Sequence, residues 1–134
     1  MSIEHQVCKI CGSNIGVEQH HMVFRSQNRA LSHCKINLVY LCHEHHRELY
    51  GVHGKKGEAI DLQLKLEFQN LLEFLFDKEY LTAEEINEVL DISDHYLDML
   101  LDPLEKHFNT MYKREDVIKQ CMGGKIYDAE IKEE

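Results

Sequence analysis

No run in the 134-residue chain is apolar for the length of a membrane span, and the polar start, with Glu4 and His5, has no signal-peptide core. These absences predict a cytosolic protein with no membrane partner. The stretch Gly51-Val52-His53-Gly54-Lys55-Lys56-Gly57 has neither the Walker spacing nor a Ser/Thr after its lysines, which excludes a phosphate-cradling nucleotide loop. Five cysteines, an odd number, speak against a disulfide framework and for thiolate metal ligation. The length fits one domain, or a core with an appendage, and leaves no room for a second catalytic domain.

Positive charge is also in short supply, and a formal net charge of -9 is wrong for a simple polycationic DNA binder. Division after Gly57 changes that picture. Residues 1–57 carry seven Lys/Arg against four Glu, hence +3, which leaves -12 for residues 58–134. Eight of the ten histidines also lie in the first part. The chain reads as a weakly basic, metal-rich head (1–57) on an acidic helical body (58–134).

Cys8-Lys9-Ile10-Cys11-Gly12 is a knuckle, because two thiolates two residues apart can reach one tetrahedral ion and Gly12 permits the turn that follows. Cys42-His43-Glu44-His45 repeats the spacing and gives a Cys3His quartet of Cys8, Cys11, Cys42 and His45 for a structural zinc. Cys34 competes for the fourth place. His45 is favoured because it completes a second two-residue knuckle; Cys34 otherwise reads as a small buried hydrophobe.

Residues 17–24 mix apolar and polar side chains as a short strand would, so the adjacent His20 and His21 point to opposite sides. Residues 25–35 read as a polar loop, 37–41 as a second strand, and 42–50 as a helix closed by Gly51.

The order Cys-x2-Cys, His20-His21, then Asn37-Leu-Val-x-Leu-Cys42-x2-His45-His46 resembles the HNH endonuclease family, particularly its small zinc-stapled bacteriophage and bacterial members. The resemblance covers about the first 57 residues, with weaker likeness in the 51–57 loop and the 121–125 tail. It implies a ββα-metal core. It also implies that His20 and His46 hold one catalytic divalent cation (Mg2+ or Mn2+, with Ni2+ and Zn2+ as further candidates), that His21 is the general base, and that Asn37 fixes the loop that aims it. An imidazole, with an ordinary pKa of about 6.5, suits proton abstraction near neutral pH. The implied reaction is hydrolysis of a DNA phosphodiester, double-stranded DNA being the expected partner, to 5'-phosphate and 3'-hydroxyl ends. The implied setting is a bacterial host cytoplasm, in phage genome packaging or mobile-element biology.

Some relatives carry a further histidine four residues past the helix ligand, where this chain has Tyr50; His53 could substitute or contact phosphate. Arg25, Arg29, Arg47, Lys55 and Lys56 are further candidates for phosphate contacts. His5, His33 and His43 read as ordinary surface histidines.

In the body, strict alternation from Ile60 to Phe68 suggests a strand. The series Leu64, Phe68, Leu71 and Leu75 and the scarcity of β-branching decide for one long helix over 58–76. Thr82-Ala83-Glu84-Glu85 is a capping box for a helix to about Leu90, Ser93 can cap the next, Asp102-Pro103 can start another, and a last helix should stop at Gly123-Gly124. The helices around Asp91-Ile92-Ser93 have the outline of a helix-turn-helix, but Glu84, Glu85, Glu88, Asp91, Asp94 and Asp98 would repel a phosphate backbone. A helical bundle that packs on the head, forms a homodimer or docks a protein partner fits better; a dimer would set two single-site heads on opposite strands. The overall expectation is an α+β fold. A non-catalytic zinc-stapled adaptor using its acidic body is the competing expectation to a nuclease.

Overall fold

A computed structural model describes residues 6–49 and 51–128; Tyr50 and His5, for which a helix end and a surface role were expected, lie outside them. Downstream of the first knuckle, β1 (Glu18–His21) pairs antiparallel with β2 (Leu38–Leu41), with Glu18 opposite Leu41 and His21 opposite Leu38. The helix expected over 42–50 is a single turn, α1 (His43–His46), with Cys42 at its N-cap. It stops there because the chain folds back at once: the Glu48 N–H bonds the His43 carbonyl, and the Val52 and His53 N–H groups take the carbonyls of His45 and His46. Gly54 permits this approach, since a Cβ there would meet the Glu48 carbonyl oxygen at 1.8 Å.

The 58–76 segment is helical as expected, α2 (Glu58–Leu75). Its buried stripe differs from the expected one. Leu64, Phe68 and Leu72 are inside with Lys65 and Gln69, while Leu71 and Leu75 are partly exposed. The capping box opens α3 (Ala83–Leu90), with the Thr82 hydroxyl accepting from the Glu85 N–H and the Glu85 carboxylate accepting from the Thr82 N–H. Ser93 caps α4 (Asp94–Leu101) through the Tyr96 N–H.

Two expectations for the body fail. No helix begins at Asp102-Pro103, which instead form the turn that ends α4. Nor is the body all-helical: β3 (Tyr80–Thr82) pairs antiparallel with β4 (Met111–Lys113), Leu81 opposite Tyr112. Each of these three-residue strands runs straight into a helix, β3 into α3 and β4 into α5 (Arg114–Cys121). Three residues are too few to carry a period-two signal. The end of α5 is as expected, with Gly123 and Gly124 at φ +86° and +95°. Among the described residues the mixed α/β architecture is therefore two small sheets with five α-helices, and none of these helices is long and apolar enough to cross a membrane.

Buried residues from either side of Gly57 share one core, in which Val23, Leu31 and Leu41 join Leu64, Phe68, Leu90, Leu100 and Val117. Arg114 closes the far end of α2 by donating to the carbonyls of Glu73 and Phe76, at 2.6 and 2.5 Å.

Candidate functional site

Cys8, Cys11, Cys42 and His45 come together with all four donor atoms within 4.8 Å of one another. The Gly12 N–H closes the first knuckle onto the Cys8 carbonyl, and the Lys9 N–H ties it to Tyr40 on β2, each at 2.8 Å. Zinc bond lengths of about 2.3 Å to sulfur and about 2.0–2.1 Å to nitrogen give tetrahedron edges of about 3.8 Å between sulfurs and about 3.6 Å between sulfur and nitrogen. Cys11 Sγ lies 3.8 Å from Cys42 Sγ, and His45 Nδ1 lies 3.6 Å from Cys8 Sγ and 3.3 Å from Cys42 Sγ. The quartet could hold a zinc ion with little movement. Burial alone would raise the Cys8 thiol, but backbone N–H groups of Cys42, Cys11 and Ile10 outweigh it and bring the pKa down to about 6, towards the thiolate that a metal needs. Cys34 is elsewhere: fully buried, it donates its S–H to the Leu90 carbonyl at 3.3 Å, and burial raises its pKa.

A second group forms from His20, His46 and His53, again with donor atoms within 4.8 Å. Ring centroids are 5.1 Å apart for His20–His46, 5.1 Å for His20–His53 and 4.7 Å for His46–His53. Consecutive residues on a helix diverge by about 100°, so the one turn of α1 can send His45 to the thiolates and His46 to the imidazoles. The tight loop through Gly54 brings His53 back over both. Burial, then the nearby His46, His53 and Lys65, hold the His20 pKa down to about 3, so its imidazole is neutral near pH 7. His20 Nε2 is buried without a hydrogen-bond partner. Such an orphan beside two further imidazoles fits a metal ligand, and the three imidazoles suit a first-row transition ion better than Mg2+, which prefers oxygen.

Glu18, which the sequence reading passed over, orients this group. Its Oε1 accepts from His46 Nδ1 at 2.7 Å and from Arg47 Nε at 2.8 Å, an orientation that turns His46 Nε2, not Nδ1, to a metal. The Arg47 and His46 hydrogen bonds hold the Glu18 carboxyl down to about 2. Position could have revealed it: Glu18 precedes His20 by two on β1 and shares its face. Glu18→Ala is expected to weaken metal binding at the three histidines by about 10–100-fold with the Cys quartet still loaded. Calorimetric titration of zinc-loaded protein with Ni2+ reads this, and unchanged affinity would remove Glu18 from the site. Lys65 gave no sequence signal either. Buried on α2, it pairs with Asp61 at 2.5 Å and lies 3.8 Å from the centre of the Phe24 ring, which makes a T-shaped contact with His20.

His21 Nε2 lies 2.8 Å from the Ser32 carbonyl, which can only accept, so Nε2 carries a hydrogen and, in the neutral ring, the lone pair is on Nδ1. Asn37, wholly buried, accepts from the Val23 N–H at 2.8 Å and donates to the carbonyls of Val23 and Leu31 at 3.0 and 3.4 Å. It thereby pins both ends of the segment that follows His21. Asn37→Ala strands the Val23 groups in the core and is expected to cost about 2–4 kcal/mol in urea unfolding; a loss below about 1 kcal/mol would contradict that.

A cleft of about 350 Å3 is bordered by His20, His21, His46 and His53, with Arg25 and Arg47 on its rim. Arg29, Lys55 and Lys56 are exposed but do not border it. His33 and His43 are exposed, His33 against the Tyr96 ring and His43 3.6 Å from Glu48. Comparison with protein-family models, with curated proteins and with solved structures finds no match to this chain.

Proposed function

We propose that the protein is a metal-dependent endonuclease of the HNH type, hydrolysing phosphodiester bonds in double-stranded DNA. One observation carries this reading: two adjacent histidines border the same cleft in different surroundings. His20 presents a neutral, partnerless nitrogen to His46 and His53, while the Ser32 carbonyl takes the Nε2 hydrogen of His21 and so selects, for the neutral ring, the tautomer with Nδ1 free. In this reading His21 takes a proton from a water molecule aligned with phosphorus, and the neutral imidazole is the form that can do so. Asn37 and the Ser32 carbonyl hold the ring in place, and Arg25 and Arg47 contact flanking phosphates. Arg29, Lys55 and Lys56, away from the cleft, serve at most the longer-range attraction of DNA.

His20, His46 and His53 would hold the divalent cation, whose role when bound is to neutralise the phosphate and the charge developing on the departing 3'-oxygen. The imidazole donor set ranks Ni2+, Zn2+ and similar ions ahead of Mg2+ for occupancy. The Cys quartet would hold a structural zinc that is spent on folding.

Cleavage of an end-labelled duplex by purified protein, with each divalent ion added in turn, tests the proposal. Cut ends should carry 5'-phosphate and 3'-hydroxyl groups and so be rejoined directly by DNA ligase. No cleavage with any ion, alongside a stable complex with a protein through the acidic body, would favour the adaptor reading.

A further inference from the structure

The segment that carries Ser32 is pinned from within the head by Asn37 and, on its other side, by the C-terminal helices. A helix leaves its last carbonyls without intrahelical partners. At the end of α5, the carbonyls of Gln120 and Cys121 both accept from Asn28 Nδ2, each at 3.0 Å. At the end of α3, the Leu90 carbonyl accepts from Cys34 Sγ. Between these anchors Ala30 and Leu31 are buried, and their short 3-10 turn, Arg29–Leu31, packs on α4. Three helices of the body thus grip seven residues of the head.

The only described polar output of that segment towards the cleft is the Ser32 carbonyl. Asn28 Oδ1 accepts from the Ala30 N–H at 3.1 Å and starts the 3-10 turn; the Ser32 N–H and hydroxyl both return to the Arg29 carbonyl, at 3.1 and 2.7 Å. Ser32 then offers its own carbonyl to His21 Nε2. The two pieces also approach closely at Gly123, where a Cβ would come within 3.2 Å of Gln27.

We infer that the acidic helical body is a positioning element for His21: Asn28, clamped on the end of α5, and Cys34, clamped on the end of α3, set the Ser32 carbonyl that fixes the tautomer and orientation of the base. The catalytic side of this inference rests on the nuclease reading of His21; the structural side does not. Asn28 and Cys34 are positioning residues, since neither borders the cleft. The body accordingly contributes to the rate of cleavage without touching DNA.

The test uses the full chain with Asn28→Ser. Serine can still cap the 3-10 turn at Ala30 but is too short to reach α5. Cleavage should show kcat lowered by about 10–100-fold, with KM for DNA and zinc content unchanged, because a small misplacement of a catalytic group costs rate and not binding. Imidazole nitrogen NMR should show His21 wholly Nε2-protonated in the wild type and a tautomer mixture in the variant. A lower melting temperature with kcat and tautomer both unchanged would mean that Asn28 is merely structural, and the inference fails. If the wild type does not cut DNA, the nuclease reading fails, and the tautomer comparison alone decides the clamp. Should Asn28→Ser not fold, Cys34→Ser, which keeps a donor for the Leu90 carbonyl, is compared with Cys34→Ala. Lower kcat in the alanine variant alone supports the clamp, and equal kcat in the two overturns it.

Discussion

Replacing His21 with alanine is expected to slow plasmid cleavage by about 10²–10⁴-fold, the range for loss of a general base, while metal content at both clusters stays at wild-type levels. The ring is only half-buried and its one described hydrogen bond is to the Ser32 carbonyl, which water can solvate where it stands, so the fold should survive. His20→Ala should give a different phenotype at the neighbouring position. It removes a buried, partnerless nitrogen from the three-histidine cluster, so it should lose metal first and activity as a consequence. Metal analysis beside rate measurement separates the two. If His21→Ala cuts as fast as the wild type, the base lies elsewhere and the division of roles between the two histidines is wrong.

The second large effect concerns the Cys quartet. Structural zinc contributes about 10–16 kcal/mol of binding free energy in small zinc domains, against a total stability of about 5–15 kcal/mol for an ordinary domain. Cys8→Ser, or stripping with a strong chelator, is therefore expected to unfold the head outright. The local structure gives the reason. A single helical turn such as α1 cannot persist by its own hydrogen bonds. It is held on one side by Cys42 against Cys11 and His45 against Cys8 of the knuckle, and on the other by His46 against Glu18. Loss of zinc frees the first side and lets His46 drift from His20 and His53. Melting temperature, metal content and cleavage should fall together. Zinc-stripped protein that remained folded and cut DNA normally would show that the two clusters are independent.

How much of this the sequence carries depends on distance along the chain. The Cys3His quartet was legible because each half is a local knuckle, and the choice of His45 over Cys34 followed from the same spacing. The capping box at Thr82 and the glycine stop after α5 were legible for the same reason: cap and capped N–H lie within a few residues. The separate surroundings of His20 and His21 followed from the pleat of one strand. Glu18 on His46, Lys65 over Phe24 and Asn28 on the end of α5 were not legible. Each depends on a partner 28 to 93 residues away, or on a ring brought over by packing, which no local pattern encodes. The nine-residue helix expected over 42–50 failed because the fold-back at Gly54 won over helical continuation. That same fold-back turned His53 from an uncertain loop residue into a member of the second cluster.

The most direct measurement is conversion of supercoiled plasmid by zinc-loaded protein across Mg2+, Mn2+, Ni2+ and added Zn2+, run beside His46→Ala. The nuclease reading predicts nicked or linear product from the wild type only when a divalent ion is added, and none from His46→Ala although its Cys quartet still holds zinc. Plasmid left supercoiled by the wild type with every ion, or cut equally well by His46→Ala, would contradict it.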